Sequence, residues 1–187
     1  MLKFISSMLQ KVKQFVDGLF KISVYPNTPQ HLQRTLECIL LLRPDADEAV
    51  QIAAYSHDLA RAFAKNTFEN KAFDDPQYLA EHQEIGAKAI SEFLLQQGYE
   101  KNKVDRVYNM VRHHEEGGDE ESNILMDADS VSYLLKPTHL RPEFIQSLGK
   151  EKVKTKLEYM FGRIHSNKAK EIAKPLYEKA LEDLRKI

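Results

Sequence analysis

"PDADEAVQIAAYSHDLARAF", residues 44–63, decides the fold. After its leading Pro44 it contains neither proline nor glycine, and it is rich in alanine, the best helix former. Asp45 and Glu48 stand three residues apart, in the relation of a capping box that opens a helix. The small side chains of Ala49, Ala53, Ala54 and Ala60 let other helices approach closely, so this segment reads as a central helix. It also carries an adjacent His57 and Asp58, polar residues within an otherwise core-like run.

Outward from this helix, strand signals are scarce: there is no clean alternating run and no Asn-Gly or Asp-Gly hairpin turn. Helix signals recur. "HLQRTLECILLL" (31–42) precedes the central segment, and Cys38 within it reads as a small core residue. After the polar loop "AKNTFENKAFDD" (64–75), Asp75 caps a helix with Pro76 at its first position and Gly98 as its stop. A further helix is expected from about Lys101 to His113 and His114, ended by Gly117 and Gly118. "SNILMDADSVSYLL" (122–135) reads as a short helix stopping before Pro137, and two stretches, roughly 150–165 and 167–186, complete the chain, with Pro175 offsetting the second. The expectation is an all-α fold, a single-domain helical bundle: an amphipathic helix over 1–25, a helical core over 29–135, and C-terminal helices over 142–187.

Composition narrows the function classes. A chain of 187 residues with 42% hydrophobic and 29% charged residues is ordinary for one globular domain. A formal net charge of −1 supplies no basic field, so duplex nucleic acid is disfavoured as a partner. One cysteine excludes an internal disulfide framework and suits a reducing compartment. The N-terminal apolar residues Leu2, Ile5, Leu9, Val12, Val16 and Leu19 recur at helical spacing, broken by Lys11, Lys13 and Gln14. That pattern suits a helix lying on the core rather than a signal peptide or a membrane anchor, so a cytoplasmic protein is expected. The oligomeric state stays open, a homodimer included.

The histidines and aspartates fall at telling places. Each successive helical segment offers one or two N/O donors: His31, then His57 with Asp58, then His82, then His113 with His114, then Asp129. Imidazole and carboxylate suit divalent Mn, Fe, Co, Ni or Zn. Six or seven donors exceed one tetrahedral site and match two ions with open positions for water and substrate. Arg34 and Arg61 each follow a donor by three residues, one helical turn away, and could clamp a phosphate; a structural salt bridge is the competing reading. Asp127 reads as a helix-surface residue or a support for the ligands. His139 and His165 read as surface residues, Arg163 and Lys170 as part of a solvated face, and "EEGGDEE" (115–121) as a flexible acidic turn.

In this order the donors resemble the HD superfamily of metal-dependent phosphohydrolases. "HLQR" looks like that family's first-histidine helix, "HDLAR" like its central motif and "MDADSV" like its closing Ala-Asp motif, so the likeness covers roughly residues 29–135. The resemblance implies that His31, His57, Asp58 and Asp129 form the core metal set with Asp58 bridging, that His82, His113 and His114 complete a second ion, and that His57 and Asp58 are central to catalysis. It implies a hydrolase acting on a nucleotide or other small phosphoester through metal-activated water. Asn27 stands where subfamilies with a third metal carry a carboxylate, and the Gly-Tyr-Pro segment of the cyclic-dinucleotide branch is missing after His114. Two alternatives share the donor set or the fold: a di-iron oxygenase, and a non-catalytic nucleotide-binding module.

Overall fold

The computed structural model describes residues 7–64 and 75–187. The loop expected over 64–75 and the start of the N-terminal amphipathic helix, with Leu2 and Ile5, therefore lie largely outside the described residues. Within them the chain is all-helical: α1 (Met8–Phe20), α2 (Thr28–Leu42), α3 (Glu48–Ser56), α4 (Pro76–Gln96), α5 (Lys101–Arg112), α6 (Glu120–Leu135), α7 (Pro142–Leu148), α8 (Lys150–Gly162) and α9 (Asn167–Lys186), with 3-10 turns at Leu59–Phe63 and Thr138–Leu140.

Two helices form the centre. In α3 every residue from Ala49 to Ser56 except Gln51 is buried, and α6 is buried continuously from Leu125 to Leu134. Neither shows an amphipathic stripe, because each is covered from several sides: α3 by α1, α2, α5 and α6, and α6 by α2, α8 and α9. The flanking helices are amphipathic. Helix α1 buries Val12, Val16 and Phe20 at four-residue steps, and α5 buries Val104, Val107 and Val111. The C-terminal helices share the same core through Val153, Leu157, Met160, Ala169, Ala173 and Leu184, so the bundle has one interior. Cys38 is buried in it, and burial, with Asp129 nearby, pushes its thiol up to about 12.

The helix starts are local chemistry. Asp47, two residues past the expected Asp45, caps α3 by accepting from the Val50 amide at 3.2 Å. Asp75 caps α4 through the Tyr78 amide with Pro76 in the first turn, as its sequence requires. Asp119 does the same for α6 through Ser122, so this helix begins before the residues expected of it and runs the full span to Leu135. Pro175 sits inside α9, which continues past it. No helix among the described residues is long and apolar enough to cross a membrane.

Candidate metal centre

The central helix does not run through its histidine. It ends at Ser56, and the chain tightens through His57 and Asp58 into the 3-10 turn that carries Arg61. Adjacent positions at a helix end point about 100° apart, so His57 and Asp58 serve two neighbouring donor groups rather than one. Gly86 of α4 sits against that turn: a Cβ there would stand 3.3 Å from the His57 carbonyl oxygen. Glycine thus lets α4 come close enough to deliver His82.

Two groups of donors result, one of His31, His57 and Asp129 and the other of Asp58, His82 and His114, each with its ligand atoms within 4.8 Å of one another. In the first, His31 Nε2 lies 2.8 Å and His57 Nε2 3.5 Å from Asp129 Oδ1. In the second, His82 Nε2 lies 3.0 Å from Asp58 Oδ1. The other oxygen of Asp58 turns toward the first group, 3.9 Å from His31 Nε2 and 4.0 Å from His57 Nε2. One carboxylate therefore faces both groups. The rings of His57 and His114 meet edge to face at 5.1 Å, which sets the groups side by side.

The imidazoles are oriented from behind. His57 Nδ1 lies 3.0 Å from the Ala54 carbonyl oxygen and His114 Nδ1 2.7 Å from that of Val111. A carbonyl only accepts, so each ring donates its Nδ1–H there and turns a lone pair on Nε2 inward. Inside, among the described residues, the buried His114 Nε2 has no hydrogen-bond partner, and His57 Nε2 has only long approaches to Asp129 and Asp58. Ser132 Oγ lies 3.1 Å from His31 Nδ1 and donates to the His31 carbonyl oxygen at 3.4 Å, which leaves its oxygen to accept an Nδ1–H from the third ring. Buried nitrogens oriented in this way, beside two carboxylates, fit divalent cations.

Electrostatics agree. Burial opposes charging Asp58, yet Arg61 and His82 outweigh it and hold its carboxyl well below the usual range. Asp129 is depressed in the same way by Arg163 and His31. Burial also opposes charging His57, but Asp129 and Asp58 raise it to about 9, whereas burial lowers His114 to about 4. Without a metal ion the two shifts run in opposite directions on rings 5.1 Å apart: the carboxylates beside His57 favour a proton on its Nε2, which a divalent ion would have to displace, while burial favours neutral His114.

A family model described as "Domain of unknown function (DUF4202)" matches residues 18–185. The chain belongs to the DUF4202 family. No curated protein and no solved structure matches it. The DUF4202 match takes in both donor groups and also α8 and α9, which lie beyond the stretch that resembles HD proteins.

Not every expected site residue of this DUF4202 chain reaches the centre. His113 is outside both groups: α5 stops at Arg112, and the His113 amide closes the helix end on Asn109. The next residue, His114, faces in. Arg34 turns back on its own helix and donates to the Gln30 carbonyl at 3.0 Å, while Arg61 Nε contacts Asp58 Oδ2 at 2.8 Å.

Other residues enter unexpectedly. Arg163 is not on a solvated face: its side chain is 8% exposed and grips Asp129 Oδ2 and Glu115 Oε2 while Nε donates to Ser130. Glu115 is not part of a free acidic turn, since Gln83 accepts its amide at 2.9 Å and its carboxylate is tucked against Arg163. Asp127 is buried and accepts from the His165 and Ser166 amides at the α8–α9 turn, which carries Arg163. His139 is packed between Tyr133 and Phe144 rather than lying on the surface, whereas His165 and Lys170 are exposed as expected. The sequence signal was weak: Glu115 sits in a run of acidic residues, and Arg163 follows Gly162 near a helix end with no periodicity to single it out.

Proposed function

We propose that this chain is a metal-dependent phosphohydrolase of the HD type, acting on a nucleotide or another small phosphoester. The observation that carries the reading is the pair of buried donor groups joined by Asp58, with imidazole Nε2 atoms turned inward by carbonyls behind them. His31, His57 and Asp129 would hold one divalent ion, and Asp58, His82 and His114 the other. Such ions supply Lewis acidity and lower the pKa of water, which permits attack on phosphorus at neutral pH.

The protein's own part is orientation. Arg163 holds Asp129 Oδ2 and leaves Oδ1 to His31 and His57, while Arg61 steadies Asp58 through Oδ2, the oxygen that also faces the first group, and His82 approaches Oδ1. Gln83 and Arg163 both hold Glu115, the residue after His114, which fixes the turn that carries the imidazole. Both arginines also bring positive charge to the edge of the centre, where a phosphoryl group would be recognised.

Metal analysis of the purified protein, together with a panel of phosphoesters, tests the reading. Two equivalents of divalent metal and hydrolysis of at least one ester are expected. The Asp58→Ala variant should lose both, because both groups share that carboxylate. Full metal occupancy in that variant would refute the bridging role. Two irons with O₂ uptake on a polyol, and no phosphatase activity, would replace the hydrolase by an oxygenase.

A further inference from the structure

The two donor groups are unequal in charge. The first has a carboxylate of its own, Asp129, and a share in Asp58 through Oδ2. The second has two histidines and only the shared carboxylate of Asp58. Its residues are buried as deeply as those of the first, so a divalent ion there has equal need of negative charge.

The residue after His114 supplies it. Glu115 Oε1 lies 3.7 Å from His114 Nε2, the buried nitrogen that has no hydrogen-bond partner among the described residues. The other oxygen, Oε2, is gripped by Arg163 and accepts from the Tyr159 hydroxyl at 3.4 Å. Pairing with a guanidinium keeps this buried carboxylate charged.

Arg163 treats two carboxylates alike. One terminal nitrogen takes Asp129 Oδ2, which leaves Oδ1 at 2.8 Å from His31 Nε2. The other takes Glu115 Oε2, which leaves Oε1 toward His114 Nε2. A single guanidinium thus sets the outer oxygen of each carboxylate and turns the inner oxygen toward a histidine of a different group. The backbone of Glu115 is held by the helix that delivers His82, because its amide donates to Gln83 Oε1 at 2.9 Å and Gln83 is fully buried.

The spacing suits a shared cation. Nitrogen and oxygen ligands stand about 2.0–2.2 Å from zinc, which puts neighbouring ligands of one ion about 3.0–3.5 Å apart. From 3.7 Å, Oε1 reaches that range by a small rotation about the soft terminal torsion of glutamate, with Oε2 still on Arg163.

We infer that Glu115 is a ligand of the second ion, together with Asp58, His82 and His114, so that each ion has a carboxylate of its own and both share Asp58. This role rests on the two-ion part of the reading proposed above and not on its hydrolase chemistry. It adds to the ligands that the resemblance to HD proteins implies, and it comes from a stretch that reads in sequence as a free acidic turn.

A crystal structure of the Zn²⁺-loaded chain, with the ions located by anomalous scattering, tests this directly. Glu115 Oε1 is expected about 2.0–2.2 Å from the ion bound by His82 and His114, and a separation above about 3 Å would overturn the inference. Calorimetric titration of the metal-free protein with Zn²⁺ gives a second readout. Glu115→Gln keeps an oxygen for Arg163 but loses the charge, and should weaken one of the two ions by about tenfold or more while sparing the other. Wild-type affinity at both sites, or equal weakening of both, would overturn the ligand role, the latter by showing a structural effect passed through Arg163. If the variant does not fold, the wild-type crystal decides. A chain that takes up no Zn²⁺ overturns the ligand and the two-ion reading together. Two ions with Glu115 bound, in a protein that hydrolyses no phosphoester, would sustain the ligand and remove only the hydrolase chemistry.

Discussion

At the scale of single residues, the choice between His113 and His114 shows how local geometry assigns chemistry. Both follow the last turn of α5, and one step along the chain separates a residue whose amide closes the helix from one whose ring enters the centre. The Val111 carbonyl then sets the tautomer of His114. A second histidine that sequence placed on the surface, His139, gives a pH prediction. Burial, then Lys156 and Arg61, lower it from 6.5 to about 4. Between those values the unfolded chain binds a proton that the folded chain does not, so stability falls as pH falls through the window. One group contributes a slope approaching about 1.4 kcal/mol per pH unit. Calorimetry of the metal-free protein from pH 7 to 4 should show this acid limb, and His139→Gln should flatten part of it. His114, lowered by burial, contributes to the rest, and the depressed carboxylates Asp58 and Asp129 join as pH approaches 4. An acid limb identical in His139→Gln and wild type would remove His139 from this role.

At the scale of elements, the centre depends on how segments end. Asp127 reads in sequence as a polar residue beside the better-placed Asp129, yet its carboxylate holds the two amides that turn α8 into α9. Asp127→Ala should destabilise the fold by about 1–3 kcal/mol, the penalty for leaving partly buried donors without an acceptor. Urea denaturation measures this, and a loss below about 0.5 kcal/mol, the range of a neutral surface change, would contradict the anchoring role. Gly117 ends the histidine segment with φ +72°, and a Cβ there would meet Asn123 Oδ1 at 2.3 Å and Met126 Cε at 2.9 Å. Gly117→Ala combines backbone strain with a clash and should cost about 1–3 kcal/mol by the same denaturation. A neutral result would mean that the turn can re-form around Asn123. The caps at Asp75 and Pro76 were legible because capping chemistry lies within four residues of itself. The break after Ser56 was not, since nothing in an alanine-rich run marks where a helix tightens into a 3-10 turn.

At the scale of the whole molecule, cation binding to donors drawn from five parts of the chain should couple to folding. Metal at a hundred times its dissociation constant adds about 2.7 kcal/mol for one site. Dialysis against a chelator should therefore lower the melting temperature of wild type, with recovery on adding Mn²⁺, while Asp58→Ala melts at the same temperature with and without metal. A chelator-insensitive wild type would argue against a centre that spans the bundle. How much of that bundle could be read in advance follows from the range of each interaction. The sequence by itself determined the all-helical class, the order of the elements and the donor types His31, His57, Asp58, His82 and Asp129, because helical periodicity, capping and donor chemistry are local properties. Only the tertiary structure decided that of the two expected histidines His114 enters the centre and His113 does not, that Arg34 stays away, and that Arg163 and Glu115 face the centre. Arg163 meets Asp129 across 34 positions of sequence, a contact made by the packing of α6 against α8 and α9. Long-range pairs of this kind depend on how whole helix faces fit together, and no short window of residues encodes that fit.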